Sequence, residues 1–344
     1  MKKIRVLAIM LCIALLLPTL TACKKVRSEK YFEYFDTVSV IQSYARDSKK
    51  EFEANCKAVS DLLSDYHRLF DIYFEYSGIN NLKTVNMNAG KEPVKVDERL
   101  IDFLIYARKM YTLTNGQMNI AFGAVTRLWH DARESALLNP ESAKVPSGLE
   151  LEKASYHTNI NKIIIDKEAS TVFISDPEMS IDVGALGKGY ATERAAELLI
   201  SRGVSSYVLN IGGNIRAIGE KPSGDGWVTG ITNPDKSSDE PFITKVIIKD
   251  LSLVTSGDYE RFYTVGGIRY HHIIDPDTCK PARHFSSVSV FNANSALSDA
   301  LSTALFCMSY EEGLGLIKSL GNTDAIWVFP DGMVKMTDGI VISE

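Results

Sequence analysis

Residues 295–306 read SALSDALSTALF. The stretch reads as a buried helix of Ala, Leu and Phe, which the rest of the chain must enclose. Yet it carries Asp299. Thr303 lies four residues on, hence on the same helix face. An isolated carboxylate rarely enters such a place, because losing water costs more than packing returns. Two readings follow. In one, Asp299 caps or pairs locally and Thr303 bonds back to its own helix. In the other, carboxylate and hydroxyl offer two hard oxygens to Mg²⁺, which completes its shell with water and ligand phosphates.

The start of the chain reads as processing sequence. Lys2, Lys3 and Arg5 precede an apolar run from about Val6 to Leu20, short for a membrane span and followed by no stop-transfer pattern. LTAC, ending at Cys23, resembles a bacterial lipobox. That implies a signal peptide over 1–22, a lipidated Cys23 and a tether over 23–32. The body would then sit outside the cytoplasm on the cell membrane. A plain signal peptide with an incidental Cys23 is the alternative. Residues 33–344 remain for the working region, as one domain or two intimately packed subdomains.

The formal net charge is −5, and losing the leader makes it more negative. No basic stripe is present, so nothing points to a nucleic-acid binder. Cys56, Cys279 and Cys307 are widely spaced and odd in number, so they form no disulfide framework.

Along the chain, YFDTVSVIQ (34–42) predicts a first strand. Helical patterning covers 49–70 and 97–114, with Asp97 as a cap candidate. The Asn-rich segment 77–91 predicts an irregular loop, and 131–160 looks peripheral. Two β-like runs follow in NKIIIDKEASTVFI. From Ile181 come a Gly-rich turn feeding a helix, many short β signals, helices at 295–307 and 310–319, and a late hairpin in AIWVFPDGMVKMT. The fold class is therefore α+β, with mainly antiparallel sheets and flanking helices.

Other stretches carry candidate chemistry. DVGALGKGYATE (182–193) is neither GxGxxG nor a Walker A sequence. It is either a plain strand-to-helix turn or a place where Gly184, Gly187 and Gly189 let backbone approach a phosphate, with Lys188 offsetting charge. In NIGGNI (210–215), Gly212 and Gly213 mark a bulge or a close approach. TSGDYERFY places Ser256, Asp258 and Arg261 around a turn. In YHHIIDPDTCKPA, His272 is an acid/base or phosphate-binding candidate or a structural histidine, and Asp275 is its neighbour or a turn residue.

Taken in order, DVGALGKGYATE, NIGGNI, TSGDYERFY, HHIIDPDTCKPA and SALSDALSTALF resemble the motifs of the ApbE family, the FAD:protein FMN transferases. Weaker similarity covers FDTVSVI and NGQMNIAFGAVTRLW. The resemblance implies an ApbE-like fold, FAD as substrate and Mg²⁺ as the metal. It implies transfer of FMN to a Thr hydroxyl of an acceptor flavoprotein, with AMP released. Acceptors would be membrane electron-transport subunits or secreted flavoproteins. By motif match, the Ala185 carbonyl, Asp299 and Thr303 are the implied metal ligands. His272 is the candidate for proton handling, with Asp182 its rival, and Lys188 is placed near the phosphates. Asn119, Gly187, Lys188, Gly212, Gly213, Asp258, Arg261 and His272 are the implied FAD-site residues. Two departures stand out. Met118-Asn119 replaces a Phe-Asp pair common in the family, and DPDTC puts Cys279 where many relatives have Gly.

Rival functions remain at this level. With water as nucleophile, the same site makes an FAD diphosphatase yielding FMN and AMP. A non-catalytic FAD-binding lipoprotein would bind without turnover. A hinged solute-binding lipoprotein fits the ordered motifs poorly.

Overall fold

The computed structural model describes residues 27–44 and 47–343. The expected leader at 1–22 and Cys23 lie outside them.

The chain enters through an antiparallel hairpin, β1 (Arg27–Tyr34) and β2 (Thr37–Ser43), with Phe35 and Asp36 at positive φ between them. Residues 27–32, expected as tether, are therefore strand. β2 offers them a ladder on its outer edge, and pairing satisfies backbone groups that a tether leaves to water. α1 (Lys49–Phe70) starts at a Ser48–Glu51 capping box and buries Phe52, Cys56, Val59, Leu63, Tyr66 and Phe70 along one stripe.

The Asn-rich segment is more ordered than expected. It contains α2 (Leu82–Met87), capped by Asn81, whose Oδ1 accepts from Thr84 N while its amide donates to Phe74 O. The asparagines thus organise a short helix. β3 (Val94–Lys95) leads to α3 (Glu98–Leu113), where Asp97 is the cap. α4 (Gly123–Leu138) and α5 (Gly148–Ser155) build the peripheral region, and β4 (Ile163–Asp166) and β5 (Thr171–Ile174) complete a small sheet in the order β3-β5-β4.

The second half supplies most of the framework. α6 (Gly187–Ser201) precedes the hairpin β6 (Ser206–Ile211) and β7 (Asn214–Gly219). A ribbon follows, β8 (Trp227–Thr232) with β9 (Phe242–Ile248), then β10 (Ser252–Gly257). Two further pairs, β11 (Phe262–Val265) with β12 (Ile268–His271) and β13 (Ile274–Asp275) with β14 (Lys280–Pro281), lead into β15 (Ser287–Asn292). α7 (Ser295–Cys307), α8 (Tyr310–Leu320), β16 (Asp324–Val328) and β17 (Val334–Met336) finish the chain.

The main sheet has eight strands in the order β1-β2-β6-β7-β10-β15-β16-β17, and every neighbouring pair is antiparallel. This is the α+β arrangement the sequence predicted. One face packs on α1, α6 and α7 through Ile41, Leu209, Val288, Val290 and Trp327. The other face packs on the β8–β9 ribbon through Ala217, Leu253, Phe291, Ile326 and Val328. Ala325 and Trp327 face one layer while Ile326 and Val328 face the other, the period-2 alternation of a strand covered on both sides. Among the described residues, no helix is long and apolar enough to cross a membrane.

Candidate active site

The site begins where α6 and α7 cross. Helix α6 opens at Leu186-Gly187 without a side-chain cap, so its first amides need partners from elsewhere. One comes from α7: Asp299 Oδ2 accepts from Gly189 N at 2.6 Å and from Asn214 Nδ2 at 3.2 Å. A carboxylate at a helix N-terminus is also favoured by the helix dipole. Glycine is required at 189, because a Cβ there would lie 2.2 Å from Asp299 Cβ and 2.6 Å from the Ser295 carbonyl oxygen. Asp299 is 4% exposed. Burial pushes its carboxyl above the usual carboxylate range; Lys188, the Gly189 amide and Asn214 pull in the opposite direction without cancelling that push.

One turn along α7, Thr303 Oγ1 lies 3.4 Å from Ser256 Oγ, which also bonds Ser302 Oγ at 2.9 Å. Asp299 and Thr303 thus face the end of the sheet where β7 starts and β10 ends. The β6–β7 turn closes that same end. Gly212 and Gly213 both have positive φ, 57° and 90°, as a two-residue turn of this kind demands. At Gly212 a Cβ would lie 2.5 Å from Thr37 Oγ1, which ties the turn to the start of β2.

The turn before α6 is built around Asp182. Its Oδ2 accepts from Thr126 Oγ1 at 2.8 Å and its Oδ1 from Gly184 N at 2.9 Å. The backbone on either side is held by Asn86, which bonds both Ile181 N and Ile181 O, and by Ile120 O, which accepts from Asp182 N. Ala185 is half-buried in this turn. Asp182 thus ties Thr126 of α4 to the Gly184 amide at the head of this turn.

His272 enters from the β12–β13 link. Its Nδ1 is 3.2 Å from Arg261 O. A carbonyl can only accept, so Nδ1 is assigned the proton and Nε2 is left as the free acceptor. The ring is exposed at the surface. Lost hydration, then Arg261, His271 and Lys188, hold its pKa below the usual imidazole value, which favours the neutral ring. Lys188 acts electrostatically on both Asp299 and His272. Asp258 pairs with Arg269 at 3.7 Å, and burial raises its carboxyl pKa against the pull of Arg269 and Arg283.

Some predicted residues stand apart. Asn119 caps a short turn: its Oδ1 accepts from Ala121 N and its Nδ2 donates to Thr158 O, so both ends of the amide have protein partners. Asp275 is a turn residue, accepting from Asp277 N and Thr278 Oγ1. His271 is a buried structural histidine, with Nε2 at 2.7 Å from Ala282 O and Nδ1 accepting from Ile273 N. Conversely, Asn214 and Glu193 lie inside motifs that the sequence singles out, yet their contacts to α7 span large sequence separations and leave no local signal. Among the described residues, no group of three or more His, Cys, Asp and Glu is gathered as a metal cluster. The oxygens assembled here come instead from one carboxylate, hydroxyls and backbone.

Comparison with known proteins places this arrangement. The ApbE family model matches residues 35–327. The FAD:protein FMN transferase of Treponema pallidum is 32% identical over 320 residues, covering 89% of this chain and 85% of that protein. The Klebsiella pneumoniae protein of the same name is 28% identical and covers 80% of this chain and 82% of its own length. Among solved structures, the ApbE protein of Thermotoga maritima superposes with a TM-score of 0.79 at 28% identity, covering 92% of this chain and 98% of that one. Family model, relatives and fold agree with the ordered motifs around Asp299: the chain belongs to the ApbE family.

Proposed function

We propose that this chain transfers the FMN half of FAD to a threonine hydroxyl of an acceptor flavoprotein, releasing AMP. The observation that carries this reading is the buried Asp299, held with Thr303 on one helix face against the glycine-rich start of α6.

The donor set fits Mg²⁺. Asp299 is a buried carboxyl whose charged form is only partly compensated by one amide N–H, one side-chain amide and Lys188. Thr303 adds a hydroxyl on the same face, and the Ala185 carbonyl belongs to the adjoining turn. These three oxygens would hold the ion, which supplies charge neutralisation at the FAD pyrophosphate.

The chain's own groups account for the rest. The Gly184–Gly189 backbone has no side chains beyond Ala185, Leu186 and Lys188 to keep a phosphate away. Lys188 brings positive charge to the bridging and leaving oxygens. Neutral His272 presents Nε2 as the acceptor for the threonine proton. The threonine oxygen forms a bond to the FMN phosphorus, the pyrophosphate P–O bond breaks, and AMP departs with that oxygen. Arg261 fixes His272 through its carbonyl and adds charge beside it. Gly212, Gly213 and Asp258 are proposed as supports of the FAD site.

Cys23 is proposed as the lipidated residue, holding the enzyme at the outer face of the cell membrane near electron-transport subunits or secreted flavoproteins. To test the reaction, AMP and flavin products are quantified with FAD, Mg²⁺ and an acceptor domain. Transfer gives AMP matched by acceptor-bound FMN. AMP matched by free FMN would instead make water the nucleophile.

A further inference from the structure

The crossing that positions Asp299 is fastened twice, in opposite directions. Gly189 N of α6 donates to Asp299 on α7 at 2.6 Å, and Ser295 N of α7 donates to Glu193 Oε2 on α6 at 2.5 Å. Gly189 and Glu193 are one turn apart on α6; Ser295 and Asp299 are one turn apart on α7. Each carboxylate therefore caps an otherwise unpaired first-turn amide of the other helix. Glu193 is 5% exposed, and its charge is balanced by Arg216, 5% exposed, at 3.5 Å. Arg216 is held in turn by a bond to the Ala217 carbonyl and by Asp250.

A buried carboxylate that needs an arginine from β7 to balance it is a costly way to join two helices, since apolar residues of the same volume do so at least as well. What the pair adds is a fixed register. Ser295 is the first residue of α7, so holding its amide sets how far the helix extends along α6 and where Asp299, one turn later, meets Gly189 and Asn214. We propose that Glu193, supported by Arg216, is a positioning residue that sets the placement of Asp299 in the active site. The inference rests on the reading of Asp299 as the metal-binding carboxylate.

Three variants test it in the full chain: Glu193→Ala, Ser295→Pro and Asp299→Asn. Proline is tolerated at the first position of a helix, and Asn294 before it is already extended at φ −109° and ψ 117°. Ser295→Pro thus removes the same bond from the α7 side. The readouts are Mg²⁺ binding by calorimetry, the Mg²⁺-induced rise in Tm, and FMN transfer. Glu193→Ala and Ser295→Pro are each expected to weaken Mg²⁺ binding about tenfold, equivalent to ~1.4 kcal/mol. The double variant should be little worse than either single one, because both cut one bond. If the two variants lower Tm but bind Mg²⁺ as the parent does, Glu193 is merely structural and the proposal is overturned. If Asp299→Asn itself binds Mg²⁺ normally, the metal reading fails first, which separates the two claims. Should Glu193→Ala not fold, Glu193→Gln keeps the acceptor without the charge. Its binding should fall between parent and Ser295→Pro, and binding weaker than that of Ser295→Pro overturns the proposal.

Discussion

Gly189 and Asp299 touch so closely that no side chain fits between them. A Cβ on residue 189 would stand 2.2 Å from Asp299 Cβ, while the Gly189 amide donates to the carboxylate at 2.6 Å. One glycine therefore sets both the spacing of α6 and α7 and the position of the buried acid. Gly189→Ala must push two backbones apart, because the second obstacle is the Ser295 carbonyl oxygen at 2.6 Å. The expected cost is about 2 kcal/mol or more, typical of overpacking. Activity should fall further than stability does. Denaturant unfolding alongside FMN-transfer assays measures both.

Asp299→Asn should separate stability from function. The carboxyl of Asp299 sits above its usual range because it is buried. Its folded pKa exceeds the unfolded one, so the folded state binds the extra proton, and stability falls as pH rises through that window. At neutral pH and without metal, the charged form is a burden. The Asn variant is expected to be at least as stable as the parent in EDTA. Added Mg²⁺ should raise the Tm of the parent and leave that of the variant unchanged. Thermal melts with and without Mg²⁺ decide this.

His271 predicts an acid limit to stability. Burial, the largest cause, pushes its pKa down to about 4 despite the bond to Ala282. The unfolded chain binds the proton first, so stability is lost as pH falls from about 6.5 towards 4. The full effect is about 3 kcal/mol, from the size of the shift. His271→Gln, which retains a donor for Ala282, should flatten the pH dependence measured by denaturant unfolding between pH 7 and 4.5.

Cys279 occupies a backbone conformation suited to glycine, with φ 56°, and its carbonyl accepts from Trp129 Nε1 at 2.9 Å. Cys279→Gly relieves the left-handed strain but gives up a buried thiol and loosens the unfolded chain less favourably. These effects roughly offset, within about 1 kcal/mol. Cys279→Val should be clearly destabilising, because a β-branched residue is poorly tolerated at positive φ. Matched unfolding curves for the two variants check the contrast.

The legible parts of this fold are those written locally. The Asp97 cap and the helical patterning over 49–70, 97–114, 295–307 and 310–319 mark helices that the structure contains. The late hairpin read from AIWVFPDGMVKMT is present as β16 and β17. The segment containing α2 was hidden because its asparagines carry a turn signature, whereas here Asn81 caps a helix and Asn86 pins Ile181 across the fold. β1 was hidden for another reason: its pairing depends on the free edge of β2, not on its own pattern. At the site, the odd carboxylate of α7 was readable as an anomaly. Its partners Gly189 and Asn214, and the Glu193–Ser295 bond beside them, are long-range and required the fold.

The central claim is tested most directly by intact-mass analysis of an acceptor domain incubated with this enzyme, FAD and Mg²⁺. The account predicts an added mass of one FMN on the acceptor, absent with EDTA, with an acceptor Thr→Ala variant, and with the enzyme variant Asp299→Asn. Full flavinylation by Asp299→Asn, or flavinylation that persists in EDTA, would contradict it.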